Sequence, residues 1–117
     1  MLVSLKLKKG QVLINEGDES DCVYILVAGE LAIYKYDREA QRHNVIAHAS
    51  PGEMVGEMSF LDNLPRSASV KATTDCELQM MNRTSFDNLL LTQDKFIQNL
   101  LKTLSDRLRK ANQKIRF

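Results

Sequence analysis

The stretch Gly56-Glu57-Met58-Ser59-Phe60-Leu61-Asp62-Asn63-Leu64-Pro65-Arg66-Ser67-Ala68 carries more chemistry than any other part of the chain. A glutamate directly follows a glycine at its start. An arginine and a serine stand at its far end, a short helical stretch later. This set suits a small ligand with sugar hydroxyls at one end and a phosphate at the other. A carboxylate accepts hydrogen bonds from vicinal hydroxyls, and a guanidinium grips a phosphate with two parallel N–H bonds. Glycine lets backbone approach a ligand closely. The first N–H groups of a short helix have no internal partner and favour an anion.

The flanking sequence reads as strands. Leu5 and Leu7 alternate with Lys6 and Lys8, the pattern of a half-exposed strand. Gly10 ends it, and a second run covers Gln11 to Asn15. Cys22 to Val27 is β-branched, aromatic and apolar on both faces, which predicts a buried strand. Further strands are predicted over Leu31–Tyr36 and Asn44–Ala49, with a hairpin tip at Asp37–Arg42. Beyond the opening stretch, Ala68, Val70 and Ala72 alternate with Ser69, Lys71 and Thr73, and Cys76 to Met81 makes the last strand. Short strands at even spacing with turn residues between them predict a sandwich or barrel. Gly10, Gly17, Gly29, Gly52 and Gly56 all fall at its turns or at the ligand stretch. They fit places of positive φ or close backbone approach.

The last third reads as helical. Thr84 with Asp87 three residues on resembles a weak capping box. Thr92 is the expected cap of a longer helix running to about Ile115. Ile97, Leu101, Leu104, Leu108, Ala111 and Ile115 follow one another in steps of four and three, a heptad seam that a second copy of the chain can share. Phe96 and Leu100, beside that seam, are expected to pack on the β body.

The chain's 117 residues match one domain, long enough to bury a core without staples. Hydrophobic residues make up 44% and charged ones 26%, as in an ordinary soluble globule. A formal net charge of +1 leaves no global field to attract nucleic acid or an anionic membrane. Cys22 and Cys76 have neither a disulfide framework nor a metal-binding spacing, and read as reduced core residues of a cytoplasmic protein. Lys6, Lys8 and Lys9 interrupt any secretory signal, and the longest apolar run, Cys22–Ala28, is too short for a bilayer. No direct membrane role is expected.

The cassette Gly56-Glu57 with Pro65-Arg66-Ser67-Ala68-Ser69-Val70 closely resembles the phosphate-binding cassette of the cyclic nucleotide-binding domain family. That family includes the catabolite activator protein and the regulatory subunits of cyclic-AMP-dependent protein kinase. Supporting the resemblance are Glu16-Gly17-Asp18, Tyr24-Ile25 with Gly29-Glu30, and Pro51-Gly52, so it spans roughly residues 5 to 115. It implies an α+β, mainly β fold: an eight-stranded antiparallel β-roll (a jelly roll) with a short cassette helix and C-terminal helices. The implied division is one domain over residues 1–117, with the roll at 1–81, its cassette at 56–69 and helices at 82–117.

The resemblance also implies roles. Glu57 would accept the ribose 2′-hydroxyl, and Arg66 would pair with the exocyclic phosphate oxygens. Ser67 would donate to phosphate or to a syn purine. Backbone N–H groups near Met58 and Ser59 would complete the cradle, with Gly56 permitting the approach and Ala68 lining it. Asn112, after Arg107-Leu108-Arg109, would meet the purine edge from the terminal helix. The implied ligand is cAMP, with cGMP open because a hydroxyl at Ser67 can serve guanine. The implied function is a regulatory sensor in which the ligand moves the terminal helix.

Two alternatives belong to other classes. One is a dimerisation module of this fold without a nucleotide, for which loss of Glu57 or Arg66 would be the sign; both are present. The other is the sensor part of a DNA-binding regulator. Arg107, Arg109, Lys110, Lys114 and Arg116 read as a solvated helix face, and no room is left for a helix-turn-helix, so this segment is not expected to bind nucleic acid. His43 and His48 have no paired nucleophile, so an enzyme is not expected. The effector is not named by the sequence.

Overall fold

The computed structural model describes residues 1–115, with the side chains of residues 109 and 112–115 outside that description. Eight strands precede and flank a short helix: β1 (Val3–Leu7), β2 (Val12–Ile14), β3 (Cys22–Ala28), β4 (Leu31–Asp37), β5 (Arg42–Ala49), β6 (Met54–Val55), α1 (Glu57–Asp62), β7 (Ser69–Ala72) and β8 (Cys76–Asn82). Two helices follow, α2 (Arg83–Leu91) and α3 (Lys95–Ile115). The strands form two four-stranded sheets, β1-β8-β3-β6 and β2-β7-β4-β5, in which neighbours pair antiparallel.

Alternation decides what each sheet buries. In β8, Cys76 and Leu78 point inward while Glu77 between them is exposed, and in β7 Val70 and Ala72 flank exposed Lys71 in the same way. The inner faces join in one core of Ile14, Tyr24, Leu26, Leu31, Val55, Val70 and Leu78, among others. Burying a Leu fully stabilises by about 1.5–3 kcal/mol, and Leu26, Leu31 and Leu78 are all wholly buried. Gly29 has φ 96°, and a β-carbon there would stand 2.7 Å from Cys76 Sγ. The β3–β4 turn therefore needs glycine both for its conformation and for its closeness to β8.

Several expectations need correction. Strand β6 is not visible in sequence, because two residues show no period; its pairing of Tyr24 with Val55 brings the chain into the cassette. Strand β2 is shorter at both ends than the Gln11–Asn15 run. Thr84 does not cap α2. Asn82 does, its side chain accepting from Ser85 N at 2.8 Å, because it stands where β8 leaves extended geometry. Thr92 ends α2 instead, its hydroxyl donating to Leu89 O at 2.6 Å, and Asp94 caps α3 by accepting from Ile97 N at 2.9 Å. Phe96 and Leu100 do not pack on the β body. Phe96 is 74% exposed and Leu100 44%, because α3 meets the roll chiefly at α1. Among the described residues no helix is long and apolar enough to cross a membrane.

Candidate functional site

Beside α1 lies a cleft of about 470 Å³. Gly56, Glu57, Met58, Ser59, Arg66, Ser67 and Ala68 all line it. Seven of the eight residues singled out in the sequence thus come together. Asn112 lies on α3, and its side chain falls outside the described residues. The sequence reading missed the opposite, apolar wall, which includes Ile33, Ile46, Ala47, Met54 and Val70. Its signal was present in the strand pattern: Ile33 of β4 sits between Ala47 of β5 and Val70 of β7, so one inward register sets all three.

Gly56 precedes α1 with φ 76°, and its carbonyl accepts the first helical bond, from Phe60 N at 3.2 Å. The N–H groups of Glu57, Met58 and Ser59 come before that bond and have no helical partner. Asn63 closes the helix in the left-handed region at φ 55°, a conformation Asn tolerates. The cassette helix is therefore a short six-residue segment set between two positive-φ residues.

Arg66 is 5% exposed, which for a charged residue requires partners. Its Nη1 donates to Gly56 O at 2.9 Å and to Ser59 Oγ at 3.4 Å, and its Nη2 donates to Cys22 O at 2.6 Å. Its backbone is fixed as well: Arg66 N donates to Asp18 O at 2.8 Å, and Gly17 N donates to Arg66 O at 2.9 Å. Glycine at 56 is what makes room, since a β-carbon there would collide with Arg66 Nη1. A second cavity, of about 110 Å³, includes Asp18, Glu19, Asp21, Tyr24 and Arg66 in its lining. Arg66 thus borders both cavities.

Behind Arg66, Cys22 Sγ donates to Tyr24 Oη at 3.0 Å. Burial pushes the Cys22 thiol above its ordinary value, and burial, helped by the Cys22 hydrogen bond, pushes the Tyr24 phenol up as well. Both stay neutral near pH 7, and both cysteines are free. Glu57 is half-buried at the cleft, and neither its carboxylate nor the Ser67 hydroxyl has a hydrogen-bond partner among the described residues. The site therefore offers a free acceptor, a free hydroxyl, unpaired N–H groups and a buried cation in one cleft.

The profile of the cyclic nucleotide-binding domain family matches residues 4–93. This chain belongs to that family. The cyclic nucleotide-binding domain is 34% identical over 105 residues to the lysophospholipase NTE1 of Chaetomium globosum, covering 90% of this chain and 7% of that protein. It is 33% identical over 110 residues to the cAMP-dependent protein kinase regulatory subunit of Eremothecium gossypii, covering 86% of this chain and 23% of that subunit. Among solved structures, the EAL enzyme Bd1971 in its half-site-occupied form superposes with a TM-score of 0.81 at 34% identity, over 96% of this chain and 99% of that one. The cAMP-bound and cGMP-bound forms of the same enzyme superpose at 0.74 and 0.75, each at 34% identity, over 94% and 96% of this chain and 29% and 30% of theirs. These neighbours share the two-sheet roll. The chain spans only a small part of the curated relatives' length, and some of them are enzymes that carry this kind of domain.

Proposed function

We propose that the cyclic nucleotide-binding domain holds cAMP, or cGMP, in the cleft beside α1 and acts as a regulatory sensor. The observation that carries this is the convergence of the free Glu57 carboxylate and the buried Arg66 guanidinium on one cleft with an apolar far wall. A volume of about 470 Å³ falls within the usual range for small-molecule pockets. In this reading Glu57 accepts the ribose 2′-hydroxyl and Arg66 pairs with the phosphate oxygens. Ser67 donates to phosphate or base, the N–H groups of Met58 and Ser59 complete the cradle, and Gly56 and Ala68 allow the approach. Ile33, Ile46 and Val70 cover the purine face, and Asn112 meets its edge.

Charge-assisted bonds of this type contribute about 1.5–3 kcal/mol each. Two or three of them, with the apolar wall, support micromolar affinity, which needs about 8 kcal/mol. The Arg66 Nη hydrogens already have protein acceptors, so phosphate binding exchanges neutral carbonyls for charged oxygens. That exchange loosens the start of α1 and gives the ligand a differential affinity for two positions of the cassette. The same saturation of Arg66 also favours a second reading, a module of this fold in which the arginine is structural and no nucleotide binds. Calorimetry with cAMP and cGMP on wild type and Arg66→Ala decides between them. Heat in wild type and none in the variant supports the sensor; no heat with either nucleotide overturns it.

The single domain over residues 1–117 is read as one part of a larger cytoplasmic regulatory system that binds its nucleotide without consuming it; cAMP recovered intact after long incubation is the expected result. Leu101, Leu104 and Leu108 of α3 are each more than 40% exposed, and they belong to the stripe on which a second copy would dimerise. Sedimentation of wild type against Leu104→Glu tests this, a dimer that becomes a monomer being the supporting outcome.

A further inference from the structure

Among the described residues, the buried serines and charged side chains are Ser20, Ser59, Arg66 and Ser69. A buried hydroxyl costs stability unless it is hydrogen-bonded, so each of these serines needs a partner. Ser59 has the guanidinium itself, accepting from Nη1 at 3.4 Å. The other two stand on either side of Arg66 along the chain and tie it to the β2–β3 connection. Ser20, in that connection, donates Oγ to Leu64 O at 2.6 Å, two residues before Arg66. Ser69, three residues after Arg66, accepts at Oγ from Glu16 N at 2.8 Å. Between these bonds, Arg66 N donates to Asp18 O and its carbonyl accepts from Gly17 N.

The backbone alone does not complete this seam. Pro65 has no N–H to offer. Glu16 lies past the last β2–β7 pair, Ile14 with Val70, so its N–H has no strand carbonyl opposite. The Ser69 hydroxyl stands in for one. Glu16 carries the seam on to β4, its Oε1 accepting from Tyr36 N at 3.2 Å, beyond the last β4–β7 pair of Tyr34 with Ser69. Ser20 is fixed in turn: its carbonyl accepts from Arg83 Nη2 at 2.9 Å, and the same nitrogen donates to Phe60 O. Neither Ser20 nor Ser69 lines the cleft, so any effect of theirs on a ligand there passes through another residue.

We propose that Ser20 and Ser69 are positioning residues of the cleft: they fix the chain on both sides of Arg66 and act on the bound phosphate through its guanidinium. This rests on the nucleotide reading above. A guanidinium presents its donors in a rigid planar fork, so its grip depends on where the backbone puts it. A lysine ammonium is a point charge on a flexible stem and tolerates a shifted backbone. The two hydroxyls therefore matter to an arginine at position 66 and not to a lysine.

The test is a double-mutant cycle on the full chain. Ser20→Ala and Ser69→Ala are each made in wild type and in Arg66→Lys, and cAMP affinity is read by calorimetry well below every melting temperature. In wild type each alanine is expected to weaken cAMP binding about three- to tenfold, as for the loss of one neutral hydrogen bond. In Arg66→Lys, which binds more weakly, each is expected to change affinity less than about twofold. Ser69→Thr keeps the hydroxyl and stays within about twofold of wild type. Equal losses in the two backgrounds overturn the proposal, because a prop of the fold alone would give them. So does an unchanged affinity in wild type.

The Arg66 Nε–H signal in a nitrogen–proton correlation spectrum, assigned by its absence from Arg66→Lys, gives a reading without ligand and decides where Arg66→Lys binds too weakly to measure. Its exchange with water should quicken at least about threefold in both alanine variants; an unchanged rate overturns the proposal. Should an alanine variant fail to melt cooperatively, Ser20→Cys or Ser69→Cys replaces it, near in size and weaker in hydrogen bonding. No heat with cAMP in wild type overturns the nucleotide reading, and this proposal with it. Heat in wild type without the expected loss in the alanine variants overturns this proposal alone.

Discussion

Arg66 donates Nη1 to the carbonyl oxygen of Gly56 at 2.9 Å, so the residue that closes the cassette holds the residue that opens it. The same side chain satisfies Cys22 O in the strand behind. Its stabilising duty and its proposed ligand-holding duty therefore overlap, whereas Glu57, with no protein partner among the described residues, has only the proposed one.

The two residues should separate experimentally. Arg66→Ala leaves Cys22 O without the donor it has now, a loss of about 1–3 kcal/mol for a buried acceptor, and so lowers the melting temperature of the nucleotide-free protein by several degrees. It also abolishes measurable cAMP binding. Glu57→Gln keeps the shape and holds nucleotide-free stability within about 0.5 kcal/mol of wild type. Its cAMP affinity nevertheless falls about ten- to a hundredfold, the worth of one charge-assisted bond. Scanning fluorimetry and calorimetry on both variants check this. Equal loss of stability in the two would contradict the division of duties.

Gly56→Ala should act through Arg66. The new β-carbon meets the guanidinium and lies 3.2 Å from Ile14 Cδ1, on a backbone at φ 76°. The conformational penalty alone is about 1–2 kcal/mol. Gly52→Ala supplies the control, because it shares a positive φ, 93°, and its β-carbon would meet nothing within 4 Å. Urea titration should show Gly56→Ala as the more destabilised of the two, and calorimetry should show weakened cAMP binding in that variant alone.

Much of this was legible in the sequence, for identifiable reasons. The cassette residues lie within thirteen positions of one another, so local spacing brought Gly56 through Ala68 to one cleft. Seven strands declared themselves by alternation or β-branched runs. The partners of Arg66 did not, because Cys22 O is 44 residues away in sequence and carbonyls carry no residue identity. Arg83 was hidden for the same reason: both its acceptors are main-chain oxygens, at separations of 63 and 23. The helix caps were misread because Thr84-to-Asp87 and Asn82-to-Ser85 offer the same spacing. Only the point at which β8 ends chooses between them.

That choice is itself testable. Asn82→Ala removes the bond from Ser85 N and should cost about 1 kcal/mol. Thr84→Ala, an exposed residue inside the first turn of α2, should stay within about 0.5 kcal/mol of wild type. Urea denaturation of the pair suffices. A larger loss at Thr84 than at Asn82 would restore the cap read from sequence.

Stability should fall in alkali, and the sign follows from the pair behind Arg66. Burial raises the Cys22 thiol above its ordinary 9.0, and burial likewise raises the Tyr24 phenol above its ordinary 10.0. Each group is neutral when protonated. Below those ordinary values both the folded and the unfolded chain keep the proton, so the contribution is complete and does not change with pH. Above them the unfolded chain releases its proton first and is favoured, and stability declines until the folded pKa is passed. Each group adds a slope of at most about 1.4 kcal/mol per pH unit. Unfolding free energy should therefore show no loss from these groups between about pH 7 and 8 and should drop between about pH 9 and 11. Cys22→Ala should delay the onset of that fall, and Tyr24→Phe should reduce its upper part. A stability that stays level through about pH 11 in wild type would contradict the buried, neutral pair and, with it, the dry support on which the Arg66 guanidinium rests.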